Sequence, residues 1–278
     1  LALYLIALGL VQKVVLASWL SAQVVDPVYK FPDHYASVSL AAAMLGYSLQ
    51  IFLDFAGYTL IVTGLALLLG YRLPVNFRQP YLARNLSDFW TRWHVSLSSF
   101  IRDYIYIPMG GNRLGWGRTQ LNVLLGMLIS GLWHGASWTF VVWGLLHGLG
   151  VVVQNTAKRL GMPAWPRWVA QILTFVFVSV AWVFFRAESV PQALHMLQGL
   201  WDSPAGFWLP EQLQWWGLLG MAALVWGLSP RALWWQRQSV AGLARLGPWL
   251  GAVLLALLLC VVLYGAPEGV PAFIYFRF

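Results

Sequence analysis

Two histidines stand in stretches that otherwise carry apolar and aromatic side chains: His94 in FWTRWHVSL and His134 in SGLWHGASW. Between Arg118 and His147, His134 is the only ionisable side chain. An ionisable residue inside an apolar stretch usually faces a bundle interior or an aqueous path and is functional by default. Without a counter-ion along its own stretch, this imidazole suits a general base better than an ion-pair partner. Gly131 and Gly135 flank it and permit close backbone approach or a helix break. The plainer alternative is a packing histidine that hydrogen-bonds across helices.

His94 belongs to a different pattern. In Asn85–Pro108 the apolar residues fall at Trp90, Trp93, Leu97, Phe100, Ile101, Tyr104 and Ile105, which is helical spacing. Asp88, Thr91, Arg92, Ser96, Ser98, Ser99, Arg102 and Asp103 fall largely on the other side, and Asn85 with Asp88 three residues on has helix-start character. The segment is therefore expected as one amphipathic helix, interfacial or lining a wet cavity. His94 is its exception, a titratable group on the apolar face beside Trp93. It is either a site residue pointing inward or a buried histidine bonded to a backbone carbonyl.

Other residues carry weaker signals. Asp54, in QIFLDFAGY, could pair with an arginine, bond a tyrosine or line a substrate path. Asn112 belongs to YIPMGGNR, a turn that ends the amphipathic helix and could hold a phosphate on backbone N–H groups. His147 follows His134 by thirteen residues, so a helix break must intervene if the two are neighbours; it is read as a packing or supporting residue. His34 and His195 have loop-like surroundings and are expected in solvent. No Cys or carboxylate partner stands at local metal-ligand spacing, so no metal or haem is assigned. The single Cys260 lies in an apolar run and is expected as core filler.

The elements that position these residues are membrane helices. The chain is 60% hydrophobic and 9% charged, far from the balance of soluble domains. Apolar runs recur at Ala36–Leu53, Tyr58–Gly70, Leu121–Leu132, Phe140–Val153, Val169–Phe185, Trp215–Leu228 and Leu246–Leu263. Several are short of the ~20 residues of a full crossing, which suggests broken or re-entrant helices. Leu1–Leu20 reads as a span interrupted by Lys13, and Ser21–Tyr35 as a polar link. Ala36–Tyr71 reads as two pieces kinked near Phe52–Gly57. The whole chain, 1–278, is expected as one membrane domain, with residues 72–118 its polar, Arg-rich segment. The charge of +8 suits anionic headgroups or an anionic substrate, and its spread between apolar spans argues against nucleic acid. The basic loops Gln154–Arg167 and Pro230–Arg245 read as cytoplasmic, and the acidic Ala187–Gln214 and the tail after Leu263 as extracytoplasmic. The start at Leu1, inside an apolar run, reads as a chain lacking its natural N-terminal helices.

RNLSDFWTRWHVSLSSFIRDYIYIPMGGNR followed by SGLWHGASWTFVVWGLLHG strongly resembles the membrane-bound O-acyltransferase family. The nearest branch includes the alginate O-acetyltransferase membrane subunit and related polysaccharide and peptidoglycan acetylation proteins. VQKVVLA, DFAGY, PVNFRQPY and FIYFRF are similar to that branch too. The sequence departs from it at Leu60, where many relatives carry an acid. The resemblance implies an all-α integral membrane fold, a ring of helices around a central tunnel. It implies His134 as the family's invariant histidine and His94 as its second. It further implies an acyl thioester donor, acetyl-CoA or another, as a substrate with no bound cofactor, and an acceptor hydroxyl on an extracytoplasmic polysaccharide or on a partner protein serving it. An SGNH-type acetyltransferase is the implied partner, and the bacterial cytoplasmic membrane the implied location.

On this reading His134 takes the hydroxyl proton, and His94 orients the acyl group or stabilises the tetrahedral oxygen. Arg92, Arg102 and their neighbours hold donor phosphates, and Trp93 and Trp133 wall the channel. The competing readings are an export or channel component without chemistry, and an acyltransferase for teichoic-acid or lipid substrates. The first is separable by whether His94 and His134 face one common cavity open toward both sides.

Overall fold

A computed structural model describes residues 1–202, 212–228, 238–242 and 245–265. Among them there is no strand. The helices are α1 (Ala2–Lys30), α2 (Ser37–Leu68), α3 (Leu86–Trp90), α4 (Val95–Ile101), α5 (Trp116–His134), α6 (Trp138–Arg159), α7 (Arg167–Arg186), α8 (Val190–Asp202), α9 (Gln212–Leu228) and α10 (Gly247–Gly265). Of these, α1, α2, α6 and α7 are long and apolar enough to cross a membrane. The chain divides into two compact units. One holds Leu1–Pro74 with α9 and α10, and the other holds the helices from α3 to α8.

In the first unit the backbones of α1 and α2 touch. A Cβ on Gly57 would lie 2.7 Å from the Gly9 carbonyl oxygen and 2.9 Å from the Lys13 nitrogen. One on Gly64 would lie 2.7 Å from the Ala2 carbonyl. Small residues allow this approach, as in membrane helix pairs generally. At the same crossing Lys13 and Asp54 form an ion pair with both side chains largely buried.

Two sequence expectations are corrected here. The chain does not break near Phe52–Gly57, because α2 runs unbroken through 32 residues. Gly57 serves close packing, and Asp54 is neutralised by Lys13, so neither interrupts the helix. Nor is Ser21–Tyr35 a simple polar link, since α1 continues helically to Lys30. Wide π-type turns at Val11–Ala17 and Ser21–Val25 absorb the polar residues, and Ser21 donates its hydroxyl to Asp26 at 2.6 Å.

The second unit is organised on the α5–α6 hairpin. A Cβ on Gly131 would lie 2.4 Å from the Phe140 carbonyl, and one on Gly144 2.6 Å from that of Met127. The helices therefore meet backbone to backbone. At the far end Asn155 donates to Gln120 at 3.0 Å, and the Arg159 guanidinium lies 4.8 Å over the Trp116 ring. α7 closes on α6 through stacked Trp143 and Trp182, with centroids 5.7 Å apart.

Cys260 is exposed on α10 rather than filling a core. An apolar helix face need not be an interior one when the surroundings are lipid. The expectations for most of Pro230–Arg245, for the acidic Glu211 and for the closing FIYFRF lie outside the described residues.

Candidate active site

The segment expected as one amphipathic helix is broken in the middle, at His94. Asn85 caps α3 as expected, its Oδ1 accepting the Asp88 backbone N–H at 2.8 Å. α3 ends at Trp90, and His94 takes a left-handed backbone (φ 43°) before α4 begins at Val95. Left-handed backbone is uncommon outside glycine and, where it occurs, is held by its surroundings. Asn76 provides that hold. Its carbonyl accepts the Val95 N–H at 3.0 Å, and its Oδ1 accepts from the Ser96 N–H at 3.1 Å and the Ser96 hydroxyl at 2.9 Å.

The same contacts orient the imidazole. Nδ1 of His94 lies 3.4 Å from Asn76 Oδ1 and 3.3 Å from Ser96 Oγ. Asn76 Oδ1 only accepts, and the Ser96 proton already goes to Asn76. Both oxygens therefore face Nδ1 as acceptors. They favour the tautomer with hydrogen on Nδ1 and the lone pair on Nε2. His94 lies outside the four apolar spans, and burial pushes its imidazole down to about 4.

His134 is the last residue of α5. Gly135 and the turn to Ser137 follow, and the Ser137 hydroxyl accepts the Thr139 N–H to start α6. This break, allowed for in the sequence by Gly135, folds α6 back over the imidazole. Trp143 meets His134 edge-on, centroids 5.2 Å apart at 87°, and Phe185 of α7 meets it at 5.0 Å and 77°. His94 and His134 are both buried and both touch the Trp133 indole, at 6.0 Å and 4.9 Å between centroids. They are close enough for a charge on one to act on the other.

The remaining candidates divide. Trp133 is 57% exposed beside both imidazoles. Trp93 is instead core, packed among Phe77, Tyr81, Phe89 and Trp182. Arg92 pairs with Asp88 at 2.6 Å, one turn back. Arg102 forms a two-armed pair with Asp103 at 2.7 Å and 2.9 Å in solvent. Hydrogen bonding to the guanidinium holds the Asp103 carboxyl below its ordinary range. Asn112 is exposed in the turn after α4. Asp54 belongs to the first unit, paired with Lys13. His34 and His195 are both exposed, but His195 lies within helix α8 rather than in the loop-like surroundings expected of it.

Two residues that the sequence reading passed over shape this region. Asn76 stands in PVNFRQPY, a stretch singled out for its resemblance to the family with no role given to the amide. Asn122 is a lone amide in LNVLLGMLI. It is fully buried, and its Nδ2 donates to the carbonyls of Met109 at 3.1 Å and Gly111 at 3.0 Å, fixing the YIPMGGNR turn against α5.

Residues 1–189 match the profile of the MBOAT, membrane-bound O-acyltransferase family. The chain is similar to the peptidoglycan O-acetyltransferase of Helicobacter pylori, 40% identical over 72% of this chain and 38% of that protein. It is similar to the Pseudomonas aeruginosa protein named "Probable alginate O-acetylase AlgI", 37% identical over 77% of this chain and 40% of that one. A teichoic acid D-alanyltransferase of Bacillus subtilis is 32% identical over 52% of this chain and 40% of its own length. The chain thus spans about two fifths of the curated relatives it matches.

Proposed function

The chain belongs to the membrane-bound O-acyltransferase family, and on that premise we propose that it transfers an acyl group, acetyl above all, from a thioester to a hydroxyl of a cell-envelope polysaccharide. The observation that carries this reading is the shared Trp133 indole, which gathers His94 and His134 at one place.

The hydroxyl oxygen attacks the thioester carbonyl while His134 takes its proton. The tetrahedral intermediate collapses with cleavage of the carbon–sulfur bond. The proton returns from the imidazolium to the thiolate, leaving an ester and a free thiol, with no net change at His134. Neither role expected for His94, orienting the acyl group or stabilising the tetrahedral oxygen, suits an acceptor nitrogen, and the ring is proposed instead to orient the acceptor hydroxyl. Its Nδ1 hydrogen is directed at Asn76 and Ser96, and its Nε2 lone pair is suited to accept from a sugar hydroxyl. Trp133 is proposed as the wall beside both rings. Arg92 and Arg102 contribute to donor phosphates only by exchanging their present carboxylate partners.

The donor is proposed as a cytoplasmic acyl thioester, acetyl-CoA foremost. An extracytoplasmic SGNH-type acetyltransferase and its polysaccharide are proposed as the receiving side, and the bacterial cytoplasmic membrane as the location. The names of the peptidoglycan and alginate relatives support an acetylated polymer. That of the more distant teichoic-acid relative supports the aminoacyl variant of the same chemistry. The test is His134→Ala in the full chain, assayed in membranes by thiol release from acetyl-CoA and by ester-bound acetate on the polymer. A stably expressed variant that acetylates normally removes His134 from the reaction.

A further inference from the structure

We propose that His147 is a positioning residue for His134, acting through Trp143; the reaction it serves is the acyl transfer proposed above. His147 is fully buried on α6, one turn after Trp143. Its ring is enclosed by Trp90 and Trp143, each at 5.0 Å between centroids, by Phe177 at 5.8 Å, by Phe89 at 6.1 Å and by Trp182 at 6.3 Å. Neither of its ring nitrogens has a hydrogen-bond partner among the described residues. The same holds for the indole N–H groups of Trp90, Trp143 and Trp182.

Packing alone would favour phenylalanine or leucine at this position. A neutral imidazole brings one donor and one acceptor nitrogen, which an aromatic wall does not satisfy. Native proteins bond such groups, and water supplies the bond where the protein does not. The two imidazole nitrogens and the three indole N–H groups beside them are atoms that a bound water would satisfy. One water accepting from the Trp143 indole N–H and donating to the acceptor nitrogen of His147 ties together two rings a turn apart. Trp143 is the ring that meets His134 edge-on at 5.2 Å and 87°. Fixing Trp143 holds one of the rings, with Phe185, that pack edge-on against His134. Reaction rates are steep in that geometry, since a misplacement of ~1 Å can cost about a hundredfold.

Two variants of the full chain in membranes separate this role from packing. His147→Phe keeps a ring and removes both polar nitrogens, and His147→Gln keeps a donor and an acceptor. With thiol release from acetyl-CoA as the readout, His147→Phe is expected to lose about tenfold or more in kcat with KM unchanged. His147→Gln is expected to recover most of the loss. Wild-type kcat in His147→Phe overturns the proposal. So does equal impairment of both variants when both melt at the wild-type temperature. If His147→Phe does not accumulate, Trp143→Phe asks the same question by removing the indole N–H, with the same drop expected and wild-type kcat again overturning it. Failure of the acyl-transfer reading is distinct, because the wild-type chain would then release no thiol.

Discussion

Asn76 Oδ1 lies 3.4 Å from His94 Nδ1, across eighteen residues of chain, while accepting both the N–H and the hydroxyl of Ser96. One amide thus holds both the backbone turn and the ring of the neighbouring histidine. Its removal takes these contacts from His94 while leaving both imidazoles in place. Asn76→Ala is expected to lower acyl transfer about tenfold, with His134 intact. Asn76→Asp is expected to place a carboxylate against His94 and favour its charged form. The acid limb of the pH–rate profile should then move to higher pH than in the wild type. An unmoved limb in Asn76→Asp counts against this contact.

The pH dependence of stability follows from burial of His94. Its folded value of about 4 lies below the ordinary 6.5. Between these values the unfolded chain binds a proton that the folded chain does not, so stability rises with pH. The contribution is fully present above about pH 6.5 and is lost as the pH falls toward about 4. Thermal melts in detergent across that window should show a decline in the wild type and a shallower one in His94→Gln. Parallel declines would assign the effect elsewhere.

The Lys13–Asp54 pair is expected to matter asymmetrically. Lys13→Met leaves a carboxylate buried between two apolar helices and should destabilise by about 3–5 kcal/mol. Replacing both, as Lys13→Met with Asp54→Leu, should recover most of that loss, because both buried charges are then removed together. Melting temperatures of the two variants decide the matter.

The α5–α6 crossing predicts a contrast between glycines. Gly131→Val drives carbon into the Phe140 carbonyl and should abolish accumulation of folded protein. Gly117→Ala, on the same helix but facing open space, should be tolerated or stabilise by about 0.5–1 kcal/mol. Detergent-resistant folded yield is the measurement.

The all-helical membrane character was legible in the apolar runs, and the Asn85 cap in the Asn–Asp spacing. His94 was legible as inward-facing, since Trp93 and Leu97 flank it in sequence and burial encloses it in the structure. The break that delivers it was not. Helical spacing persists through 85–108, and the left-handed turn that overrides it is held from distant chain, by Asn76 on Val95 and Ser96 and by Arg78, whose N–H donates to the Arg92 carbonyl at 2.8 Å. The reverse error occurred at Asp54 and Gly57, where a charge and a glycine suggested a kink. Their partners, Lys13 and Gly9, are distant in sequence, and no local pattern shows that they neutralise the one and require the other. For Trp143 and Phe185 the difficulty is abundance. With 18 Trp and 15 Phe in the chain, aromatic identity alone selects none of them for contact with His134.

The left-handed backbone at His94 also acts as a filter on inheritance. Substitutions there are judged first by whether a residue can occupy φ 43°, and only then by what its side chain does. Asparagine and glycine pass the first test, whereas valine and isoleucine fail it. Saturation mutagenesis of codon 94 should therefore sort into variants that are folded but inactive and variants that never accumulate. The dividing line should follow backbone tolerance rather than polarity.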